Sequence, residues 1–196
     1  MSALARYFNA HGIQVSGYDK TKTTLTENLE KEGISIHYKD DVSQIKEEVK
    51  EAKFTDILVI YTPAIDKNNT EFHFFKEKGV TPLKRSEVLG MITQQSFTIA
   101  IAGSHGKTTT AALLTHILKG SAIDCTAFLG GLSKDFNSNL VLAKKGNIVI
   151  VEADEYDLSF HSLYPDVAVI TSIDADHLDI YENKKSLEIA FQKFAS

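Results

Sequence analysis

Gly103-Ser104-His105-Gly106-Lys107-Thr108-Thr109 is a run of residue types suited to holding phosphate. Glycine lets backbone N–H groups approach phosphate oxygens with no Cβ in the way. A lysine ammonium can reach terminal phosphates, and the neighbouring threonine hydroxyl can ligate Mg²⁺. The pattern is Gly-x-x-Gly-Lys-Thr; the standard phosphate loop has a glycine six residues before the lysine, where Ile101 stands here. An ordinary glycine-rich turn accounts for the two glycines but not for Lys-Thr at the mouth of a helix. The run therefore reads as a nucleotide phosphate site.

A second set of residues is acidic. Glu152 directly follows the apolar run Asn147–Val151, and a carboxylate at an apolar strand end beside a phosphate loop is how nucleotide enzymes hold Mg²⁺. Glu155 and Asp157 follow closely, and a solvated or capping role suits them as well as a site role. His177 stands in Asp174-Ala175-Asp176-His177. A histidine among acids is commonly a loop hydrogen-bonder, and Mg²⁺ prefers oxygen ligands, so chemistry alone leaves its role open. The histidines at 11, 37, 73, 116 and 161 carry no spacing signal and read as structural or surface residues.

These side chains need elements to position them. Thr98–Ala102 is a partly β-branched apolar run of strand length, and Ala111–Leu118 reads as the helix that leaves the loop, so the N-terminal donors of that helix face the phosphates. Asn147–Val151 and Asp166–Ser172 read as buried strands, while Cys125–Leu129, Gly130-Gly131 and the polar loop Lys134–Asn139 lie between. Carboxyl ends of parallel strands share one edge. With neighbouring strands about 4.8 Å apart, Glu152 and His177 can reach one phosphate–metal cluster within about 10 Å if their strands flank the loop strand. Ser186–Ala195 reads as a closing helix.

The earlier half alternates in the same way. Ser2–Ala10, Leu25–Glu32, Val42–Ala52, Asn69–Lys78 and Lys84–Thr93 read as helices; Ile13–Asp19, Ser35–His37, Asp56–Tyr61 and Gly79–Leu83 read as strands. A helix followed by a strand tipped with Asp19 is the second half of a dinucleotide-type βαβ unit. The strand and glycine loop that belong before it are expected to precede Met1, so the chain is expected to be truncated. Without them the sheet has a gap. Thr62-Pro63-Ala64 follows a strand end, where open α/β sheets bind ligands. The expected class is α/β: a Rossmann-like domain lacking its first strand over 1–94, then an incomplete P-loop-type parallel-sheet ATPase domain over 95–196.

Composition narrows the function. A chain of 196 residues is long enough for one large or two small domains with a real core. The net charge of −5 gives no footprint for nucleic acid. The single cysteine, Cys125, excludes an internal disulfide and suits a reducing cytoplasm. No apolar run is long enough to span a membrane.

The segments GSHGKTTT, VEADEYD and TSIDADHLDIY together resemble the Mur ligase family, the ATP-dependent amide-bond ligases of peptidoglycan synthesis. MSALARYF…VSGYD and VIYTPAI…KRSEVLG resemble the UDP-binding domain of that family, so the likeness spans essentially the whole chain. It implies ATP and Mg²⁺ as cofactors and a bacterial cytoplasmic setting. It implies ATP contacts at Gly103, Ser104, His105, Gly106, Lys107, Thr108 and Thr109, and Mg²⁺ at Thr108, Glu152 and His177. Lys107, Glu152 and His177 would be catalytic, and Asp19, Thr62 and Arg85 would contact the UDP-substrate. The implied partners are UDP-N-acetylmuramate and L-alanine, with the tripeptide L-Ala-D-Glu-diaminopimelate as the alternative amine; LSFHSLYPDVAVITSIDADHLDIY fits the alanine reaction better. A nucleotide-binding module without ligase chemistry is the remaining alternative. Two residues depart from the family pattern: Ser104 stands where threonine is usual and Ser172 where asparagine is common. With its ends missing, the chain is expected to be inactive in the reaction by itself.

Overall fold

The computed structural model describes residues 1–174, 181 and 183–196. By contact the chain divides into two compact units, Met1–Arg85 and Ser86–Ser196.

The first unit alternates helix and strand: α1 (Ser2–Ala10), β1 (Ser16–Tyr18), α2 (Thr24–Lys31), β2 (Ser35–His37), α3 (Glu47–Glu51), β3 (Ile60–Tyr61), α4 (Thr70–Glu77) and β4 (Leu83–Lys84). β1 pairs with β2 and β3 with β4, both in parallel. The two pairs form separate sheets. Local chemistry sets the helix starts. Thr23 and Thr26 form a reciprocal capping box at α2, and the Asn69 side chain accepts from Phe72 N–H at α4.

Several expectations change here: the Ile13–Asp19 strand narrows to Ser16–Tyr18, the Gly79–Leu83 strand forms only at Leu83–Lys84, and two further segments differ. Val42–Ala52 is not one helix. The Asp41 carboxylate accepts from Ser43 N–H and starts a 3₁₀ turn at Val42–Gln44; Ile45 and Lys46 are then extended before α3 begins. The Asp56–Tyr61 strand shrinks to Ile60–Tyr61, after a 3₁₀ turn at Phe54–Asp56. Its partner is short because Pro82 has no N–H to donate; the pairing begins with Leu83 N–H to the Val59 carbonyl.

Helix α5 (Arg85–Thr93) crosses the division. From Ser86 on it packs with the second unit, which puts the division nine residues before the 94/95 boundary read from the sequence. Val88 and Leu89 are buried, a Cβ on Gly90 would overlap the Ser162 carbonyl, and Thr93 Oγ1 accepts from Tyr164 N–H at 3.2 Å.

The second unit continues with β5 (Phe97–Ala102), α6 (Lys107–Gly120), β6 (Cys125–Ser133), β7 (Ser138–Val141), β8 (Ile148–Glu152), a 3₁₀ helix at Tyr156–Ser162, β9 (Val167–Ile170) and α7 (Lys184–Phe194). The sheet order is β7-β6-β8-β5-β9. β5 runs parallel to β8 on one side and β9 on the other, the flanking arrangement expected from the sequence. Thr98 and Ala100–Ala102 are buried, as a strand between two parallel neighbours requires. Lys134–Asn139 is only partly loop. β6 runs on through Gly130-Gly131 to Ser133, turns through Asn137 at φ 47°, and returns antiparallel as β7 from Ser138. One face of the sheet buries Ile101, Cys125, Ala127, Leu129 and Ile150 with Ala111 of α6. The 3₁₀ helix and α7 are joined by Phe160, whose ring centroid lies 5.4 Å from Phe191 and 5.0 Å from Phe194.

Candidate functional site

β5 ends at Ala102 and the chain turns through Gly103 at φ 133° and Gly106 at φ 82° before α6 starts. Both values lie where a side chain is strained. At Gly103 a Cβ would sit 2.1 Å from Thr171 Oγ1 and 2.9 Å from Ser172 N, so the loop is pressed against the end of β9. Thr171 fastens it with two donors, its N–H to the Ala102 carbonyl at 3.0 Å and its hydroxyl to the His105 carbonyl.

Ser172, the departure from the family pattern, has defined work. Its carbonyl accepts from Ser104 N–H at 3.0 Å and its hydroxyl accepts from His105 N–H at 3.1 Å. The other departure, Ser104, exchanges hydrogen bonds with Asp174 through its hydroxyl, at 3.1 Å to the carbonyl and 3.0 Å from the N–H. The N–H groups of Ser104 and His105 are thus directed at Ser172, and the donors facing outward are those of the first turn of α6, which have no intrahelical partner. The His105 ring is exposed, 3.8 Å from the Asp174 carboxylate.

Lys107 opens α6 and folds back over the loop. Its Nζ donates to the Gly103 carbonyl at 2.5 Å and to both oxygens of Glu155, at 2.9 and 2.8 Å. Thr108 and Thr109 are exposed in the first turn. Thr108 Oγ1 donates to Glu152 Oε2 at 2.8 Å, and the other oxygen of Glu152 accepts from Gly130 N–H. A Cβ on Gly130 would come 2.5 Å from Glu152 Oε2, so a larger residue there would displace the carboxylate. β8, β5 and β6 therefore bring Glu152, the phosphate loop and Gly130 to one edge.

Glu155 is the residue that the sequence undervalued. It is 1% exposed, not a solvated or capping carboxylate. Ala153 N–H still pairs with the Ile101 carbonyl, and the chain then enters the 3₁₀ helix, which carries Glu155 inward. The Tyr181 hydroxyl donates to the Glu155 carbonyl at 2.5 Å and anchors it. The signal was present in Phe160 and Leu163, two apolar residues just beyond DEYD that are now buried; they mark the segment as packed rather than as a solvent loop. His177 and Asp176, with the side chain of Asp157, lie outside the described residues.

The UDP-substrate candidates are all in the first unit. Asp19 follows β1 and its carboxylate accepts from Thr21 N–H at 2.9 Å. Arg85 follows β4. Thr62 follows β3 in a turn closed by Ile65 N–H to its carbonyl, and nothing described joins it to the other two.

Comparison with known proteins covers both units. The family described as Mur ligase family, catalytic domain, matches residues 1–97, and the Mur ligase middle domain matches residues 101–196. A UDP-N-acetylmuramate–L-alanine ligase of Parabacteroides distasonis is 51% identical over 196 residues, 100% of this chain and 42% of its own length. One from Christiangramia forsetii is 50% identical over 196 residues, 43% of its length. The chain thus spans less than half the length of these relatives. Among solved structures, a UDP-N-acetylmuramate–alanine ligase of Thermotoga maritima superposes with a TM-score of 0.86 at 29% identity, over 99% of this chain and 44% of that one. A UDP-N-acetylmuramate:L-alanyl-γ-D-glutamyl-meso-diaminopimelate ligase of Neisseria meningitides gives 0.86 at 23% identity over 99% of this chain and 63% of that one, a likeness of fold.

Proposed function

The chain belongs to the Mur ligase family, and on that premise we propose that it carries the nucleotide-binding machinery of an ATP-dependent ligase joining L-alanine to the carboxylate of UDP-N-acetylmuramate. The observation that supports this most directly is the edge formed by β8, β5 and β9, where Lys107, Thr108, Glu152 and the Ser172–Asp174 segment meet around the phosphate loop. The relatives named above for the alanine reaction are about half identical over the whole length of this chain, which favours alanine over the tripeptide.

The reaction asks for charge control. A carboxylate and an amine do not condense at neutral pH. Transfer of the γ-phosphoryl group of ATP to the carboxylate oxygen gives an acyl phosphate; the amine then attacks the acyl carbon and phosphate leaves. Two anions must meet in the first step, so positioning and neutralisation are the protein's task. Lys107 places an ammonium at the loop, and the first turn of α6 adds oriented N–H donors. The residues also fit Mg²⁺. Thr108 and Glu152 present hard oxygens 2.8 Å apart beside the loop, and Mg²⁺ is commonly held by one or two protein oxygens with waters and substrate phosphates completing its shell. Bound there it would neutralise charge on the phosphate oxygens. His177 belongs to the proposed metal set through its family position alone. Asp19, Thr62 and Arg85 are proposed for the UDP-substrate on the same footing.

The test is ADP release by a polypeptide in which this chain replaces the matching segment of the Parabacteroides distasonis ligase. Release that needs both UDP-N-acetylmuramate and L-alanine is expected. Release with the tripeptide and not with alanine would move the assignment to the tripeptide reaction. ATP binding with no release under either condition would leave a nucleotide-binding module.

A further inference from the structure

We propose that Glu155 is a positioning residue that holds Lys107 in reserve and makes nucleotide binding depend on an accompanying divalent cation. This rests on the nucleotide-binding reading above and extends it to a residue outside the predicted site. An ammonium has three hydrogens, and here three acceptors lie within reach, two of them the oxygens of a single buried carboxylate. Lys107 is 19% exposed at its side chain and Glu155 1%, so the pair is poorly screened by water. Glu155 faces the ammonium and Glu152 accepts from Thr108, the next residue in the chain, so two carboxylates and one ammonium lie at the loop. Among the described residues, carboxylates therefore outnumber the ammonium where a polyphosphate must enter.

A phosphate chain arriving alone gains little from Lys107, whose charge Glu155 already matches, and meets repulsion from both carboxylates. A phosphate chain arriving with Mg²⁺ brings the compensating charge, to the side where Thr108 and Glu152 offer oxygens. Glu155 acts through Lys107 and through the field at the loop; it does not itself ligate the metal in this account, because its two oxygens face Nζ.

The experiment measures binding of a fluorescent ATP analogue to the 196-residue chain in Mg²⁺ and in EDTA, for wild type, Glu155→Gln and Glu155→Asp, with a thermal melt of each. Wild type should bind much more tightly in Mg²⁺. In Glu155→Gln the ratio of the two affinities should shrink by at least about tenfold, within the range of about 5- to 150-fold ordinary for coupling between sites, chiefly because binding in EDTA improves. Glu155→Asp keeps the charge at a longer reach and should fall between. A ratio unchanged in Glu155→Gln, or affinity lowered equally in both conditions, overturns the inference and leaves Glu155 a structural residue. If Glu155→Gln does not fold, Glu155→Asp decides alone, and a wild-type ratio there overturns it. Wild type that binds no nucleotide in either condition overturns the nucleotide reading and this inference with it.

Discussion

Lys107 and Glu155 are coupled in stability as well as in charge. Removing one member of a buried pair leaves the other unpaired, at a cost of about 3–5 kcal/mol; the partial exposure of Lys107 sets the expectation near the lower figure. Lys107→Ala should therefore melt well below wild type, and adding Glu155→Gln should recover part of the loss. Paired thermal melts check this, and equal melting of the single and double variants would show that the pair is not coupled. Gly103 is constrained in a different way. Its backbone has φ 133° and a Cβ would collide with Thr171 Oγ1. Gly103→Ala should cost about 1–3 kcal/mol, the range for overpacking a filled site, and should weaken ATP binding, because Thr171 can no longer fasten both Ala102 and His105. Urea unfolding with a nucleotide titration reads both effects.

Among the elements, the β6–β7 hairpin and the loop that follows it depend on one carboxylate. Asp124 accepts from Lys119 Nζ at 2.7 Å and from the N–H groups of Lys144 and Lys145. Its pKa falls from the ordinary 3.8 to about 2, first through the Lys119 hydrogen bond and then through those backbone donors, with desolvation opposing. A depressed carboxylate stabilises the fold above its unfolded pKa, and the contribution is lost as pH falls through the folded one. The Asp124 contribution is thus complete above about pH 4–5 and disappears toward pH 2. Asp124→Asn should melt below wild type at pH 7, and the difference should narrow between pH 4 and pH 2; thermal melts across that range check it. At α5 the sequence pattern fixes the helix, but its grouping follows from what it touches. Gly90 sits against Ser162, and Thr93 bonds Thr98 and Tyr164, all in the second unit.

For the whole molecule, the division at Arg85/Ser86 makes a direct prediction. The segment 86–196 keeps α5, whereas 95–196 loses the buried Val88 and Leu89. Two fully buried aliphatic side chains contribute about 3–6 kcal/mol, a large share of the stability of a small domain. The longer segment should unfold cooperatively at a clearly higher denaturant midpoint than the shorter; equal midpoints would favour the 94/95 boundary. Each unit carries its own parallel pairing, and among the described residues no helix is long and apolar enough to cross a membrane.

The sequence by itself determined the α/β alternation, the phosphate loop between β5 and α6, and Glu152 at the tip of β8. Each is a local pattern: apolar runs of strand length, glycines where the backbone turns, a carboxylate directly after the last strand residue. Tertiary structure decided what local pattern cannot carry. The sheet order put β8 and β9 on either side of β5. Thr171 and Ser172, at the end of β9, became the brace of a loop 66 or more residues earlier. Asp56–Tyr61, apolar enough for a full strand, paired over two residues because its partner begins after a proline. Glu155 turned inward only because the 3₁₀ helix beyond it is packed through Phe160 on Phe191 and Phe194. Burial of a charge is set by what covers it and what pairs with it, and both come here from residues distant in the chain.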